Sequence, residues 1–290
     1  MRSVTCINKN GISCTFGEGG FSPFLLADAD GLYSKTMNVN TSSNTGVDGS
    51  VYHSSALKQR NIVLTLKDIG NYVENRAFLN ALFEEKTFGE LLIRDGSEER
   101  KIEYIVEKVT SDGINAYRTH QVSLICPDPY FYDLYDTSFT MSSFMPSFFF
   151  QHAFTAAKEE FGYRQKEKIK AINNELSVDG TGLTIKISCN GSVKNPFITR
   201  VEDHAHIYIG TTAKPLNLVA GDVVTVTTES GNKKVTLTHD GTVSSINQYL
   251  SEDSSFLQLR RGTNSIGYSA DEGVDSMIIG ISYRQRYTSV

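Results

Sequence analysis

The chain has 290 residues, of which 39% are hydrophobic, and a net charge of −5 at pH 7. The charge is spread over both halves, so the sequence has no basic face and we expect no direct, sequence-specific binding of nucleic acid. No apolar run approaches the roughly 20 residues of a membrane helix, and no signal-peptide pattern opens the sequence. We therefore expect a soluble protein made in the cytoplasm, without membrane insertion.

The four cysteines, Cys6, Cys14, Cys126 and Cys189, are scattered and contain no C-x-x-C pair. Isolated cysteines of this kind are typical of buried free thiols in a reducing compartment. A disulfide between Cys6 and Cys14 remains open as an alternative, because a hairpin would bring these two residues together.

A hairpin is the first predicted element. Residues 4–8 and 12–16 flank Asn10-Gly11, and Asn-Gly is the strongest short hairpin signal. Another strand is predicted over residues 32–39. Residues 40–55 are almost all Ser, Thr, Asn and Gly. This polar excursion is too long for a simple turn, and loops of such length are usually functional or disordered.

A helix is predicted after the next strand, which covers residues 61–66. Asn71 is a suitable N-cap, and Glu74 three residues later completes a capping-box-like pair. The helix is expected over about 71–85 and is amphipathic, because its large apolar side chains share one face. These side chains are Phe78, Leu79, Leu82 and Phe83.

Residues 1–128 form the first predicted domain. After the helix, residues 89–94 and 101–109 make a second hairpin, and one further strand follows. One helix on a small antiparallel sheet gives an α+β or sandwich domain. Pro127 and Pro129 then remove two backbone donors, so the strand ends there and the chain enters a stiff joint between two domains.

Residues 129–290 form the second predicted domain, with 129–180 as linker and first strand. Residues 139–154 are rich in Phe and suit either a short membrane anchor or a buried sandwich strand; an internal proline favours the strand. Residues 156–173 suit a helix by charge and a strand by context, and we expect a strand. The remainder alternates short strands with turn signals at regular intervals, which predicts a β-sandwich.

No catalytic constellation is visible in the sequence. His204 and His206 alternate with Ala205, so a strand would place both rings on one side, beside Tyr208. A zinc site needs three or four such ligands, and none follows nearby, so exposed histidines are favoured over a metal site. The sequence has no G-x-S-x-G elbow, H-E-x-x-H helix or P-loop. We expect no enzyme, no cofactor and no metal ion.

Short motifs follow one another in a definite order along the chain. In the first half, Asp48-Gly49 is followed by Tyr52 and then by Arg60, which leads into a predicted strand. Residues 126–130 read Cys-Pro-Asp-Pro-Tyr, at the joint between the domains.

The second half continues the series with Asn190-Gly191, Gly221-Asp222 and the turn at residues 259–264. In this order the motifs resemble those of the distal tail proteins of long-tailed bacteriophages, including prophage and phage-tail-like particle members. Arg261 departs from that pattern, since family members usually have Pro there.

The resemblance implies a mainly β structural protein. Its N-terminal α+β domain, an antiparallel sheet or sandwich with one helix, is expected to form a hexameric ring at the end of the tail tube. A galectin-like β-sandwich is expected to follow. The implied partners are other copies of the chain, the tail tube protein, the tail-tip hub or tail-associated lysin, and receptor-binding proteins. The implied location is the virion tail tip, after synthesis in the bacterial host cytoplasm.

The polar excursion, taken as residues 40–59, is the candidate interface arm of such a ring. We expect it to reach a neighbouring subunit or the tube, and its candidate interface residues are Asp48, Gly49, Tyr52 and Arg60.

Two other functions remain open at this point. A carbohydrate-binding β-sandwich protein acting in host-surface adhesion would stack sugars on aromatics such as Tyr208, Tyr249 and Tyr268. A cell-wall hydrolase is the third possibility, although no catalytic group supports it.

Overall fold

The protein was analysed as a computed structural model, which describes residues 2–18, 22–46, 48–112, 118–146, 162–166 and 168–290. The chain divides into two units. Unit 1 consists of Met1–Leu134 together with Arg286–Val290, and unit 2 consists of Tyr135–Gln285. The sequence places the domain boundary after residue 128, whereas unit 1 runs on to Leu134 and takes back the last five residues. The predicted fold class, mainly β with antiparallel sheets and one α-helix, is confirmed.

Unit 1 is built on one antiparallel sheet that carries a helix. Its strands, numbered along the chain, are β1 (Arg2–Asn8), β2 (Ser13–Gly17), β3 (Phe24–Asp30), β6 (Arg60–Asp68), β7 (Phe88–Asp95), β8 (Glu98–Asp112), β9 (Thr119–Cys126), β10 (Phe131–Tyr132) and β24 (Arg286–Tyr287). The order across the sheet is β2-β1-β7-β8-β9-β6-β3, and β10 pairs with both β8 and β24. A separate two-stranded ribbon is formed by β4 (Met37–Ser42) and β5 (Val51–Leu57).

The helix of unit 1, α1 (Tyr72–Leu82), confirms the amphipathic pattern read from the sequence. Asn71 caps it, because its side chain accepts a hydrogen bond from the Val73 backbone N–H. Leu79 and Leu82 are completely buried against the sheet. The helix therefore covers one face of the sheet and closes the core of the unit.

The first hairpin is confirmed, and it places Cys6 directly opposite Cys14 on β1 and β2. Even so, all four cysteines are buried free thiols. Burial raises the pKa of the Cys126 thiol to about 12 and that of Cys189 to about 11. The thiols are therefore protonated and unreactive at neutral pH.

The strand predicted over residues 32–39 is wrong in its first half. The ribbon strand β4 begins only at Met37, and residues 31–36 form an irregular segment after β3. Leu32 in this segment is completely buried. The backbone carbonyls of this segment accept hydrogen bonds from a side chain of β6, and not from the backbone of a neighbouring strand.

Unit 2 is a β-sandwich, as the sequence predicts. Its strands are β11 (Thr137–Thr140), β12 (Ser142–Pro146), β13 (Gly162–Lys166), β14 (Ile169–Asn173), β15 (Leu183–Cys189), β16 (Val193–Arg200), β17 (His206–Tyr208), β18 (Asn217–Leu218), β19 (Val223–Thr227), β20 (Lys234–His239), β21 (Thr242–Ser245), β22 (Thr263–Glu272) and β23 (Met277–Tyr283). One sheet has the order β11-β23-β15-β19-β20-β21, and the other has the order β14-β22-β16-β17, with β18 beside β16. Buried side chains from both sheets form one core.

The Phe-rich segment and the ambiguous segment after it are described only in part. Within them, β11, β12, β13 and β14 are strands. Residues 147–161 and 167 lie outside the described residues. Within the described ranges, no helix has the length and apolar character needed to span a bilayer.

A buried polar cluster ties the helix to the sheet of unit 1. One carboxylate oxygen of Asp68 accepts hydrogen bonds from the Gly70 backbone N–H (2.9 Å) and from the side-chain amide of Asn75 (2.7 Å). The other lies 3.4 Å from Nε2 of His120, whose ring is completely buried. Burial opposes ionisation of Asp68, but these hydrogen bonds outweigh it, and the pKa of Asp68 is lowered from 3.8.

The lowered pKa of Asp68 predicts a pH-dependent contribution to stability. Because the pKa is lower in the folded than in the unfolded state, the stabilisation is present above pH ~4 and is lost as the pH falls through the folded pKa. We expect Asp68→Asn to lower the free energy of unfolding of unit 1 by about 1–3 kcal/mol at pH 7. The difference from wild type should shrink at pH 3, as measured by urea unfolding. An equal difference at both pH values would contradict this.

The C-terminal strand β24 belongs to unit 1 although it follows unit 2 in sequence. Phe131 of β10 pairs with Tyr287 of β24, and the Arg100 guanidinium lies 3.8 Å from the centre of the Tyr287 ring. Val290 packs against the core of the unit. The sheet of unit 1 is therefore completed only when the chain has returned from unit 2.

We expect deletion of residues 286–290 to destabilise unit 1 selectively. The loss of β24 and of the Tyr287 packing should cost about 2–4 kcal/mol, while unit 2 keeps all of its strands. Hydrogen exchange under mild denaturant, compared for peptides from β6 and from β15, measures the two units separately. Faster exchange in β15 than in β6 would contradict the assignment of β24 to unit 1.

Candidate assembly site

The ribbon of β4 and β5, residues 37–57, is referred to below as the arm. Its two strands pair with each other and with no other described strand. Every residue of β4 and β5 is exposed except Leu57, which is half-buried. The arm thus projects from unit 1 with neither of its faces buried in the unit.

The arm has one apolar and one mainly polar face. The register pairs Met37 with Leu57 and Val39 with Ser55, and a bulge after Asn40 brings Tyr52 opposite Thr41. Because side chains on paired strands alternate between faces, the apolar side chains Met37, Val39, Tyr52 and Leu57 share one face. Asn38, Asn40, Ser42 and Ser54 share the opposite face with Ala56 and Val51.

The arm is also nearly free of charge. Asp48 is the single Asp, Glu, Lys or Arg among residues 37–57. Exposed strand edges in soluble proteins are normally protected by charged residues, especially Lys, against pairing with another chain. Val39 is 54% exposed and Tyr52 is 60% exposed. An uncharged ribbon with exposed apolar side chains has the composition of a surface that is covered on assembly.

The arm root, residues 31–36 and 58–60, connects the arm to the sheet. Arg60 at the start of β6 is only 6% exposed. Its Nη1 donates to the carbonyl oxygens of Gly31 (2.5 Å), Leu32 (3.4 Å) and Ser34 (2.5 Å). The carbonyls of the irregular segment after β3 are therefore satisfied by one guanidinium, which explains why this segment needs no partner strand.

The same guanidinium binds two segments far away in sequence. Its Nε donates to the Pro129 carbonyl (3.1 Å) and its Nη2 donates to the Thr288 carbonyl (2.6 Å). Its carbon lies 4.6 Å from the centre of the Phe131 ring. Burial lowers the pKa of Arg60, and no carboxylate forms an ion pair with it among the described residues. All five acceptors are neutral backbone carbonyls.

Two further contacts hold the root on its outer side. The Lys58 backbone N–H donates to the Thr36 carbonyl (2.9 Å) and closes the ribbon. The Tyr33 hydroxyl donates to the Asp95 carboxylate, and the Arg2 guanidinium lies 4.7 Å from the centre of the Tyr33 ring. Burial and this hydrogen bond to Asp95 raise the pKa of the Tyr33 hydroxyl.

Gly31 is the position in the arm root where only glycine fits without strain. Its φ of +84° lies in the left-handed region, and a Cβ there would stand 2.1 Å from the Asn61 carbonyl oxygen. The close approach brings the Gly31 carbonyl within reach of Arg60. At the other end of the arm, Gly46 also has positive φ (+88°), but nothing lies within 4 Å of the position of a Cβ.

The structure separates the four predicted interface residues into two places. Asp48 and Gly49 lie at the tip of the arm, between β4 and β5, and Tyr52 lies on its apolar face. Arg60 lies in the buried root instead. The partners of Arg60 could not be read from the sequence, because they are backbone carbonyls contributed by distant segments.

The aromatics considered for sugar stacking do not form one platform. Tyr268 is 4% exposed and belongs to the core of unit 2. The Tyr208 hydroxyl donates to Asp271 (2.6 Å), and the Lys214 ammonium lies 4.9 Å from the centre of the Tyr249 ring. Because Tyr268 is buried, these three rings do not form one exposed stacking surface.

The two histidines considered as metal ligands are also not equivalent. His204 has a φ of +56° and precedes β17, whereas His206 lies in β17 and its Nε2 is 3.2 Å from the Asp253 carboxylate. In the described part of the chain, no three His, Cys, Asp or Glu side chains come together as a metal site.

Comparison with known proteins relates the C-terminal part of the chain to phage tails. Residues 179–287 match the model of the siphovirus-type tail component, C-terminal domain. This match agrees with the predicted resemblance to the distal tail proteins of long-tailed bacteriophages. No curated protein matches the sequence.

Two solved structures share the fold of this chain. The Dit protein of phage SPP1, described as a paradigm of the hub adsorption apparatus in phages infecting Gram-positive bacteria, is 14% identical with a TM-score of 0.66. That match covers 98% of this chain and 99% of the Dit chain. A chain of the phage P2 baseplate in its activated conformation with Ca is 10% identical with a TM-score of 0.52, over 100% of both chains. At such identities the likeness concerns the fold.

We expect Gly31→Ala to be much more destabilising than Gly46→Ala. Both substitutions place a side chain at positive φ, which costs about 1 kcal/mol. At position 31 the Cβ also collides with a backbone carbonyl, so the total cost should reach about 3 kcal/mol or more. Urea unfolding of the two variants measures the difference. Equal losses of stability would show that the arm root tolerates the displacement.

Proposed function

We propose that the protein assembles through unit 1 into a closed hexameric ring at the end of the tail tube. In this proposal the ring joins the tail tube protein to the tail-tip hub or tail-associated lysin, and receptor-binding proteins attach around it. Unit 2 is the galectin-like sandwich carried by the ring. The protein acts as a scaffold and not as an enzyme.

The single observation that carries the proposal is the exposed, nearly uncharged and amphipathic arm. A ring of identical subunits needs a heterologous interface, in which two different surfaces of the chain meet and the rotation closes. A specific interface of this kind buries on the order of 1,000 Å² or more. The arm offers a projecting surface for such contact with a neighbouring copy or with the tube.

The family and the solved structures support the same proposal. The matched family is a phage tail component, and the SPP1 protein is described as part of a hub adsorption apparatus. The baseplate chain of phage P2 likewise comes from a tail-end assembly. A role in joining tail components is consistent with these descriptions, and in this proposal residues 37–57 make the contact.

Substitutions on the two faces of the arm test the proposal. We expect Val39→Ser combined with Tyr52→Ser to weaken ring formation by about 10- to 100-fold, because buried anchors of an interface contribute about 1–3 kcal/mol. Asn40→Ser combined with Ser54→Ala changes the opposite face of the same strands and serves as the matched control. Sedimentation velocity and negative-stain images over a concentration series measure the assembly.

Deletion of residues 42–55 is the stronger version of this experiment. It should leave folded monomers, verified by circular dichroism, that no longer form rings. Intact rings from the deletion variant would refute the role of the arm. A wild-type protein that stays monomeric even beside its tail components would refute the ring itself.

A further inference from the structure

The arm is attached to unit 1 solely through its root among the described residues. Because β4 and β5 pair with each other and with no described strand of the large sheet, no strand pairing along their length sets the direction of the arm. That direction is decided where the chain leaves β3 and where it enters β6. The contacts at these two points are the ones described for Leu32, Tyr33 and Arg60.

The contacts of the root differ in what they can determine. Leu32 is buried, but hydrophobic burial is not directional, so this contact holds the root in the core without setting the direction of the arm. Tyr33 is 45% exposed, so its hydrogen bond to Asp95 competes with water. Arg60 donates to several carbonyls in the planar, rigid fork of its guanidinium, which imposes defined angles on its acceptors.

We propose that Arg60 is the positioning residue of the arm: its guanidinium sets the direction of residues 37–57 by holding the carbonyls of the arm root together with those of Pro129 and Thr288. This inference rests on the proposed function for its consequence in assembly. It assigns to Arg60 a role inside the subunit and not a contact with the partner.

The chemistry of the site supports a geometric role. A buried cation is costly to desolvate, and replacing buried charged groups by well-packed apolar residues of similar volume often leaves a protein equally stable. Arg60 is surrounded by neutral carbonyls, without the carboxylate that would compensate its charge among the described residues. What the guanidinium supplies and an apolar side chain does not is the simultaneous, directed bonding of five carbonyls from three segments.

The remote acceptors extend this role beyond the arm. Pro129 lies two residues before β10, and Thr288 directly follows β24. These paired strands are the segments through which the chain leads into unit 2 and returns from it. A displacement of either strand therefore moves an acceptor of Arg60, and the arm is coupled to the connection between the units.

Spin labels at two introduced cysteines measure the direction of the arm. Ser43→Cys places one label on the exposed arm. Lys67→Cys places the other label at an exposed position of β6. The native cysteines are at most 8% exposed, so they do not compete for the label. Double electron–electron resonance then gives the distribution of distances between the arm and the sheet.

We expect Arg60→Lys to broaden this distribution by about twofold or more, because an ammonium cannot reproduce the fork of the guanidinium. The exchange rate of the Lys58 amide, which is bonded to Thr36, should rise by about tenfold. Arg94→Lys is the matched control, since Arg94 is an exposed arginine that pairs with Glu99. An unchanged distribution in Arg60→Lys would overturn the proposal.

Two truncations test the same point with Arg60 in place. Removal of residues 288–290 deletes the Thr288 acceptor and should also broaden the distribution. Removal of residues 289–290 likewise deletes Val290 but keeps an acceptor at Thr288, which is then the terminal carboxylate, and it should leave the distribution narrow. Equal broadening of the distance distribution in both truncations would show that the effect comes from lost packing of Val290, and it would overturn the proposal. The truncations keep Arg60, so they test the proposal even if Arg60→Lys does not fold.

Ring formation separates this inference from the proposed function. If wild-type protein forms rings and Arg60→Lys forms them equally well with a narrow distribution, the positioning role is refuted and the ring stands. If wild type forms no rings but Arg60→Lys broadens the distribution, the positioning role stands and the ring is refuted. Loss of rings together with a broadened distribution supports both.

Discussion

A buried guanidinium that binds carbonyls from three parts of the chain is the interaction on which the arm of this protein depends. Arg60 replaces the strand partner that residues 31–36 lack, and it reaches the segments before β10 and after β24. Each bond is modest by itself, but an unpaired buried carbonyl is expensive. The five acceptors therefore have to stay together, and the arm leaves the sheet from a fixed base.

The division between a rigid body and an exposed arm suits a protein that works by assembly. The sheet of unit 1 forms a hydrophobic core of its own with α1. The arm buries none of its faces in the unit and carries almost no charge. A surface of that composition gains free energy when a partner covers it, and a fixed root lowers the entropy lost on binding.

Local patterns were sufficient for many of the elements. The Asn-Gly hairpin of β1 and β2, the Asn71-capped helix and the sandwich of unit 2 all follow from short-range signals of turn chemistry, capping and periodicity. The strand predicted over 32–39 failed where a long-range side-chain interaction overrode local preference. The polar composition of residues 40–55 indicated a functional excursion but did not distinguish a loop from a paired ribbon.

The sequence by itself determined the fold class, the hairpins and the helix, because alternation, turn residues and capping residues are properties of neighbouring residues. It also marked Asp48, Gly49, Tyr52 and Arg60 as one group. Only the tertiary structure decided that Tyr52 lies on an exposed face whereas Arg60 is buried, and that β24 returns to unit 1. The acceptors of Arg60 are backbone carbonyls, which every residue carries, so no pattern of side chains in the sequence predicts them. Folding brings Gly31, Pro129 and Thr288 around one guanidinium.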